Sequence, residues 1–500
     1  MLIACLLVAG IQRAGGAYSS DFSADDDEGS HAVSSLAVHD YVTRGFPQKP
    51  LPFAESFYLH YPKLAIGHWP PLFYVSEAGW MLAFGRSRQA MVAFTGICGA
   101  ALVCLLFLWV RRAYGAFPAV VASLAMLAPG FVRTELLEVS PDILLALLTL
   151  CSAVALGRYL EDKQPRFAIL FAVFSIAAIG VHGRGAMLLF LPFAAVLTRG
   201  RRWTVKQILG LILVAAVAIT IPPLLHQSYR FHLGHSLMLA AQYPLYLVRS
   251  TGWGVAILAF LGLALTVGKT VRPAERSIIW GLALSGWAFY ALVNAGFQAH
   301  YLITVAPAIA ALAGIGVNSL ARMFRSRVLR SAVAIGAAGA LCGTAFPMER
   351  KNDLGYHALA PNTDRVDLIA GDAANEGAFI AEKALRDPAG TRFALRASKL
   401  LSSSAWNGAS YRLRYSTARD VLACLDAARV ETVYAQRGDV RPHMSQLLEA
   451  LASGAWREVH PPGLPGQMRA FERPSPLPPG DPVFTLDLST SLGRTLKTPP

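Results

Sequence analysis

Charged residues are scarce in this sequence, at 15% of its 500 residues, whereas hydrophobic residues make up 54%. Soluble globular proteins carry about 25% charged residues. The shortage excludes an ordinary soluble enzyme and predicts that most of the chain lies in a lipid bilayer. The net charge of +14 does not indicate nucleic-acid binding, because the basic residues lie in short clusters between apolar runs and not on one domain.

The chain also lacks the motifs of several enzyme classes. Five of its six cysteines lie inside apolar runs, so the sequence has neither a disulfide framework nor the ligand spacing of a zinc site. The Gly-x-Gly pieces at 183–185 and 252–254 lack the third glycine of a dinucleotide-binding loop. These absences exclude a disulfide-stabilised secreted domain and a soluble nucleotide-binding module.

Long apolar runs dominate the first 347 residues. A helix that crosses about 30 Å of hydrocarbon needs roughly 20 apolar residues. We predict about eleven transmembrane helices, hence an all-α polytopic membrane protein. The first has a short apolar core, which is also typical of a signal peptide. The predicted spans are 1–18, 88–110, 115–131, 140–157, 167–181, 185–198, 206–225, 251–268, 277–296, 301–320 and 331–347.

Lysine and arginine are distributed unevenly between the connections of these spans. Sixteen lie in the connections after the second, fourth, sixth, eighth and tenth spans, and the other short connections hold four. Because cytoplasmic connections carry the excess of positive charge, the sixteen are predicted to lie inside. The loop at 21–74, the HGRG turn at 182–185 and everything after about residue 348 are then predicted to face outward.

The composition changes to that of a water-soluble domain after residue 348. DLIAG, RFALR and ETVYA, which begin at residues 367, 392 and 431, read as strands, and segments 376–387 and 418–430 have a helical period. We therefore predict a C-terminal exterior α/β domain. The predicted divisions are a transmembrane domain 1–347 with a first exterior loop 19–87, the exterior domain 348–475 and a Pro-rich tail 476–500.

Ionisable side chains are nearly absent from the interiors of the predicted spans. Asp142 is the only acidic residue that falls within one, close to its outward end. Carriers and channels usually place charged residues along their pathway, so this pattern disfavours a lipid or solute carrier, which is the alternative function. A third hypothesis is a non-catalytic assembly protein whose exterior domain recruits partners.

The outward loops, by contrast, collect polar groups of opposite charge. A carboxylate accepts a proton from a hydroxyl, and cations stabilise a departing phosphate, so the two kinds together suit group transfer from a phosphate-linked donor. Each group also has a non-catalytic explanation. An acidic run in a loop is often simply solvated, and Arg184 is placed to anchor a span end. Residues 135, 138 and 142 share one predicted helical face, which is also common in interfacial helices. The candidates are Asp27, Glu28, Lys63, His68, Arg133, Glu135, Glu138, Asp142, Arg184, His300 and Tyr301.

Several of these residues lie in blocks that resemble the C-type glycosyltransferases of membranes. The blocks are Asp27–Glu28 after the first span, YPKLAIGHWPPLFY at 61–74, PDILL at 141–145, HGRG at 182–185 and HYLITVAP at 300–307. Within that family the chain looks most like the bacterial branch of protein O-mannosyltransferases, lipid A aminoarabinose transferases and lipopolysaccharide galacturonosyltransferases. The likeness covers roughly residues 1–347.

The resemblance implies a polyprenyl-phosphate-sugar donor, inversion at the anomeric carbon, and a multi-pass enzyme of the bacterial inner membrane whose C-terminal domain lies outside the cytoplasm. The acceptor would be a glycan, a lipid or a protein. Carried over by position, Asp27 with Glu28 is the catalytic carboxylate, and Asp142 with Glu138 supports the acceptor or a divalent metal. The predicted ligands of the donor phosphate are Lys63, Arg184, His300 and Tyr301.

Overall fold

The computed structural model describes most of the chain. The predicted span 206–225 lies outside the described residues. The described segments are 1–65, 67–198, 233–266, 273–293, 297–359, 366–404, 410–453, 456–473, 475, 482, 485–487 and 495–497.

The described segments are mainly helical. The helices are α1 (Leu2–Ala14), α2 (Glu28–Thr43), α3 (Pro50–His60), α4 (Leu72–Phe84), α5 (Arg88–Tyr114), α6 (Ala116–Leu127), α7 (Gly130–Leu137), α8 (Asp142–Asp162), α9 (Pro165–Val181), α10 (Leu191–Leu197), α11 (Leu233–Thr251), α12 (Trp253–Thr266), α13 (Pro273–Val293), α14 (Ala306–Met323), α15 (Arg327–Ala345), α16 (Ala373–Leu385), α17 (Ala397–Leu400), α18 (Ala418–Ala427) and α19 (Pro442–Ser453). Short 3₁₀ turns span Gly183–Leu189, Ala299–Thr304 and Tyr356–Ala358.

All strands of the described segments lie in the C-terminal part of the chain. They are β1 (Val366–Ala370), β2 (Phe393–Arg396), β3 (Ser402–Ser403), β4 (Arg412–Leu413), β5 (Val430–Gln436), β6 (Arg457–Val459), β7 (Met468–Glu472), β8 (Thr485–Asp487) and β9 (Thr495–Lys497). The three strands and two helices expected from the sequence of this region are confirmed, which establishes a C-terminal α/β region. Strands β6 and β7 were not predicted.

The chain divides into two compact units, which do not follow the boundary expected from composition. The membrane unit consists of residues 1–15, 69–73 and 93–350. The loop unit consists of residues 16–68, 74–92 and 351–500, so most of the first exterior loop belongs with the C-terminal α/β region. This grouping depends on contacts between segments about 300 residues apart, which composition cannot reveal.

Four helices of the described part are long and apolar enough to cross a membrane, namely α5, α8, α14 and α15. Helices α6 and α7 would form a fifth span together, although they meet at a bend of 69°. The predicted spans at 1–18, 167–181, 185–198 and 251–268 correspond to shorter apolar helices. The predicted number of eleven spans is therefore not confirmed, whereas the helical character of the region is.

The membrane unit is held together by close helix packing at small residues. A Cβ atom built on Gly262 of α12 would lie 1.9 Å from the backbone oxygen of Leu312 in α14. A Cβ on Gly316 of α14 would lie 2.3 Å from the backbone oxygen of Leu258. Glycine is needed where helix backbones approach this closely, which is typical of helices packed in lipid.

The loop unit contains a five-stranded sheet in the order β2-β1-β5-β7-β6. Strands β2, β1 and β5 are parallel, and β7 and β6 continue the sheet in antiparallel pairing. Strand β1 is buried along its whole length, as expected for a strand covered on both faces. Helix α16 connects β1 to β2 and is capped by Asp372, whose carboxylate accepts the amide of Asn375.

Helix α2 of the first exterior loop packs on α16 of the α/β region. Their backbones approach at two glycines, because a Cβ on Gly29 would lie 2.5 Å from the carbonyl carbon of Gly377. Two side-chain nitrogens of Arg86 donate to the Asp40 carboxylate of α2, each at 2.9 Å. Arg86 also donates to the backbone oxygens of Ala384 and Leu385. The first exterior loop is thus tied to the end of α16 by buried polar contacts.

Candidate active site

Asp142 and Arg184 form a buried ion pair in the membrane unit. Asp142 is the first residue of α8, and Arg184 lies in the 3₁₀ turn Gly183–Leu189 that follows α9. An ion pair removed from water persists only when each charge has a good partner. The two residues are 42 positions apart, and the structure brings them together as the sequence-based hypothesis requires.

Tyr301 and His300 complete the surroundings of the Arg184 guanidinium. The guanidinium lies 4.7 Å from the centre of the Tyr301 ring, and its Nη1 donates to the backbone oxygen of His300 at 3.3 Å. His182 Nδ1 accepts the backbone amide of Arg184 at 3.1 Å and its Nε at 3.3 Å. The guanidinium is therefore held in one orientation by Asp142, His182, His300 and Tyr301.

Tyr290 of α13 holds Tyr301 beneath Arg184. The Tyr290 hydroxyl donates to the backbone oxygen of Tyr301 at 2.5 Å, and the two rings stack with their centres 5.9 Å apart and an angle of 3° between them. The sequence analysis did not select Tyr290. It lies in an apolar predicted span, where a tyrosine is usually explained by packing or interface placement, so its pairing was not visible in the pattern.

Glu135 joins this cluster, and one carboxylate oxygen accepts the hydroxyl of Ser140 at 2.6 Å. Glu135, Asp142 and His300 each offer one possible ligand atom, and these atoms lie within 4.8 Å of one another. The prediction that residues 135, 138 and 142 lie on one helical face is wrong. Helix α7 ends at Leu137 and α8 begins at Asp142, so the buried Glu138 adopts an extended conformation between the two helices.

Asp27 lies at the start of α2 in the loop unit and is half-buried. The carboxylate of Asp25 accepts the amides of Asp27 at 2.9 Å and Glu28 at 2.7 Å. Asp25 therefore satisfies backbone donors at this helix start, a task that an N-cap side chain usually performs. Burial raises the pKa of Tyr74, and the negative charge of Asp27 raises it further. The same charge raises the pKa of Lys63 against the larger, lowering effect of burial.

Lys63 is buried within the loop unit, and its ammonium donates to the backbone oxygens of Asp26 at 2.9 Å and Ala373 at 3.1 Å. Burial, helped by the charge of Arg396, lowers the pKa of Lys63 to about 8. These contacts join the first loop to the start of α16. Binding of a donor phosphate by Lys63 stays a prediction, and the contacts described for it are those of a structural residue.

Glu28 is fully buried, and its carboxylate pairs with the ammonium of Lys351 at 2.5 Å. The other carboxylate oxygen accepts the amide of Ala24 at 2.8 Å. A buried carboxylate paired with a lysine and a backbone amide is suited to holding the loop in shape. The sequence analysis missed Lys351, because the two partners are 323 positions apart and lie in segments that it assigned to different domains.

We expect Lys351→Met to lower the free energy of unfolding by about 3–5 kcal/mol, because it leaves Glu28 buried without its counter-charge. The double variant Glu28→Gln/Lys351→Met should recover most of that loss. The measurement is denaturant unfolding of the purified protein in detergent, followed by tryptophan fluorescence. A double variant as unstable as the single one would contradict a structural role for this pair.

A pH dependence is expected from Glu77, which lies fully buried in α4. Burial raises the pKa of Glu77 to about 8, with Ser35 lowering it and Glu28 raising it less strongly. Between the ordinary value of 4.5 and about 8, the folded state binds a proton that the unfolded state has lost. Glu77 therefore lowers stability by about 1.4 kcal/mol per pH unit across this window.

Glu77→Gln should remove that dependence. Its midpoint of thermal unfolding in detergent should exceed the wild-type value by an amount that grows from pH 5 to pH 8. If the midpoints of the variant and the wild type differ by the same amount from pH 5 to pH 8, Glu77 has the same pKa in the folded and unfolded states, which would contradict this prediction. Glu55→Gln is the matched control, because the Glu55 carboxylate lies in the same loop and is not fully buried.

The chain is similar to known proteins both in sequence family and in fold. Residues 68–226 match the family model described as dolichyl-phosphate-mannose-protein mannosyltransferase. Among solved structures, ArnT from Cupriavidus metallidurans bound to undecaprenyl phosphate is similar with a TM-score of 0.58 and 13% sequence identity, over 96% of this chain and 99% of that chain. The chain resembles the C-type glycosyltransferases.

A second solved structure extends the resemblance to another kind of enzyme. The apo oligosaccharyltransferase of Archaeoglobus fulgidus has a TM-score of 0.54 and 12% identity, over 87% of this chain and 69% of that chain. No curated protein sequence matches the chain. The resemblance expected from the sequence blocks is confirmed, and at these identities the solved structures establish the fold alone.

Proposed function

We propose that this protein is an integral membrane glycosyltransferase that moves a sugar from a polyprenyl-phosphate donor to an acceptor hydroxyl, with inversion at the anomeric carbon. The observation that carries the proposal is the buried Asp142–Arg184 pair with Tyr301 stacked beneath the guanidinium. The family match over residues 68–226 supports this choice of reaction class. ArnT, of similar fold, was crystallised with undecaprenyl phosphate, which supports the choice of donor.

Arg184 is proposed to bind the donor phosphate. In the reaction, the bond between the anomeric carbon and the phosphate oxygen breaks, and the phosphate leaves with additional negative charge. A guanidinium donates charge-assisted hydrogen bonds to that phosphate, and its attraction is stronger where water is excluded. Asp142 and Tyr301 hold the guanidinium in place before the substrate arrives, so no reorganisation is needed during transfer.

Asp27 is proposed to take the proton of the acceptor hydroxyl as that oxygen attacks the anomeric carbon from the face opposite the phosphate. A carboxylate in a half-buried position combines access for the acceptor with a local environment less polar than bulk water. Glu28 is proposed to support Asp27 by shaping the start of α2 through its pair with Lys351. The role of Asp27 as the base stays a prediction.

A divalent cation is a further prediction for the membrane unit. Two carboxylates and an imidazole, from Glu135, Asp142 and His300, are a donor set that divalent metals accept. The guanidinium of Arg184 already neutralises Asp142, so a bound cation would have to share that carboxylate. The cation would supply charge stabilisation near the acceptor or phosphate, and the proposed roles of Asp27 and Arg184 do not depend on it.

The proposed location is the bacterial inner membrane, with the C-terminal α/β region outside the cytoplasm. The uneven distribution of lysine and arginine between alternate connections supports this orientation. A reporter fused after Glu28 that is active only in the periplasm would agree with it. Cytosolic activity of the reporter would place the proposed base on the wrong side for a donor in the outer leaflet.

The decisive experiment incubates the purified protein with a panel of polyprenyl-phosphate sugars that carry a radioactive label in the sugar. Membrane extracts supply lipid, glycan and protein acceptors. We expect the label of one donor to leave the lipid and appear in one acceptor fraction. Vesicle uptake of solute without a donor, together with retention of every label on its lipid, would instead support a carrier.

A further inference from the structure

Helix α4 lies in the predicted first exterior loop, yet its exposed face is wholly apolar. Its only acidic or basic residue is Glu77, which is fully buried. Exposed helix faces in water normally carry polar and charged side chains. With 13 residues, α4 is also too short to cross about 30 Å of hydrocarbon. The exposed residues of α4 are Val75, Gly79, Leu82, Ala83 and Phe84.

The end of α4 is fixed to the start of α5. The indole nitrogen of Trp80 donates to the backbone oxygen of Ala90 at 2.9 Å, and the Trp80 ring packs on Phe84 with the ring centres 3.9 Å apart. Helix α5 is long and apolar enough to cross a membrane, and its first residues, 88–92, belong to the loop unit. A span begins at the bilayer surface, where tryptophan is enriched. The side chains beside this first turn therefore lie at that surface.

The connection between α2 and α3 reaches the same place through one carboxylate. Arg86, two residues before α5, donates to both oxygens of Asp40 at 2.9 Å, and Arg44 lies 3.7 Å from the same carboxylate. Phe84 and Phe46 each lie two residues from one of these arginines, a Cα separation of at most about 7 Å. Asp40 thus joins the end of α4 to the connection that follows α2.

The α2–α3 tip, which we define as residues 43–52, has the sequence TRGFPQKPLP. All ten residues are exposed, and none of them is acidic. The side chains of Phe46 and Leu51 are 60% and 53% exposed, and Lys49 lies between them. Exposed aromatic, aliphatic and basic side chains together are typical of segments that enter the headgroup region of a bilayer.

Phe46 is exposed at a strained position of the backbone. Its φ of 57° lies in the left-handed region, which a bulky side chain rarely adopts because of steric cost. Its amide donates to the backbone oxygen of Tyr41 at 3.0 Å, and its ring meets the Tyr41 ring edge-on at 5.1 Å between centres. The turn therefore holds an apolar ring at the surface at a cost that packing within the chain does not explain.

We propose that the α2–α3 tip and the end of α4 form an apolar patch that inserts into the surface of the phospholipid bilayer. The inserted side chains are Phe46, Leu51, Leu82 and Phe84, and Lys49 reaches the lipid phosphates with its ammonium. Lipid is the fitting occupant because the patch adjoins the first turn of a candidate span and carries no acidic side chain. The patch holds the loop unit at the membrane and does not depend on sugar transfer.

The first test places a fluorine label at the tip. In the full-length protein, 4-trifluoromethylphenylalanine replaces Phe46 by amber suppression, and the protein is reconstituted in phosphatidylcholine nanodiscs. Phosphatidylcholine with a nitroxide at carbon 5 of its acyl chain is then added to the nanodiscs, and the ¹⁹F linewidth is measured. We expect the nitroxide to broaden the signal at least about fivefold more than that of a label exposed to water, because an inserted side chain lies at the depth of this carbon.

Val440 supplies the matched control for this comparison. It belongs to the same loop unit, is 86% exposed and lies between β5 and α19, so its label should respond to a water-soluble gadolinium chelate and little to the lipid nitroxide. Equal broadening of the Phe46 and Val440 signals by the lipid nitroxide would overturn the proposal. So would protection of the Phe46 signal from both reagents, since a protein surface would then cover the tip. The unfolding midpoint checks that each labelled protein is folded.

A second label and a second nitroxide separate the two parts of the patch and its depth. The same label at Phe84 should broaden as the Phe46 label does. If only the Phe84 signal responds, α4 alone contacts lipid and insertion of the tip is wrong. A nitroxide at carbon 16 should broaden both signals less than one at carbon 5, because an interfacial segment reaches only about 5–10 Å into the bilayer. The opposite order would contradict insertion at the surface. These readouts are unaffected if sugar transfer is absent.

Discussion

The Asp27→Asn variant is expected to transfer sugar about 10²–10⁴ times more slowly than the wild type, because asparagine cannot accept the acceptor proton. The substitution preserves size and removes one charge. The start of α2 is expected to persist, since Asp25 satisfies the amides there. The measurement is the initial rate of label transfer from the donor identified in the panel, at saturating donor.

Asp26→Asn is the matched control for this prediction. Asp26 is the exposed neighbour of Asp27, and its contact with Lys63 uses its backbone oxygen, which the substitution leaves intact. It should retain transfer. Full activity in Asp27→Asn would move the base to another carboxylate, and equal losses in both variants would indicate an effect of loop charge and not of proton transfer.

The second large effect is expected from the buried pair of the membrane unit. Arg184→Gln leaves Asp142 buried without its counter-charge, so we expect a loss of about 3–5 kcal/mol in stability. We also expect transfer to fall at least about 10²–10³-fold, since a donor to the departing phosphate is removed. Stability and transfer must therefore be measured on the same preparations.

The double variant Arg184→Gln/Asp142→Asn separates the two effects. It replaces both charges with amides of similar shape, so most of the lost stability should return while transfer stays low. Arg249→Gln is the control, because Arg249 is exposed in the last turn of α11. A stable double variant with wild-type transfer would remove Arg184 from the mechanism.

The membrane-unit part of the candidate site was largely predictable from sequence. The charge asymmetry of the connections placed Asp142, Arg184, His300 and Tyr301 on one side of the membrane, and the structure brings these four together. The sequence suggested this grouping because topology limits each of them to the end of a span, and their roles in catalysis stay predictions. Glu135 was also a candidate, but its closeness to His300 depends on the helix break between Leu137 and Asp142.

The loop-unit part was less predictable, because its polar residues are used for internal packing. Helix α2 has the sequence EGSHAVSSLAVHDYVT, and most of its residues are buried regardless of polarity. No apolar stripe marks a buried face there, so the pattern indicates a solvated loop. Its polar groups are instead matched by distant partners, such as Lys351 for Glu28 and Arg86 for Asp40.

The amino-acid sequence by itself determined the membrane character, the helical segments and the C-terminal α/β region, because hydropathy and periodicity are local properties of the chain. Only the tertiary structure decided that the first exterior loop joins the C-terminal region and that Glu28 is paired internally. These facts depend on which distant charges meet after burial. Local sequence carries no record of such pairings, because the electrostatic free energy of a buried charge is set by neighbours that only folding supplies.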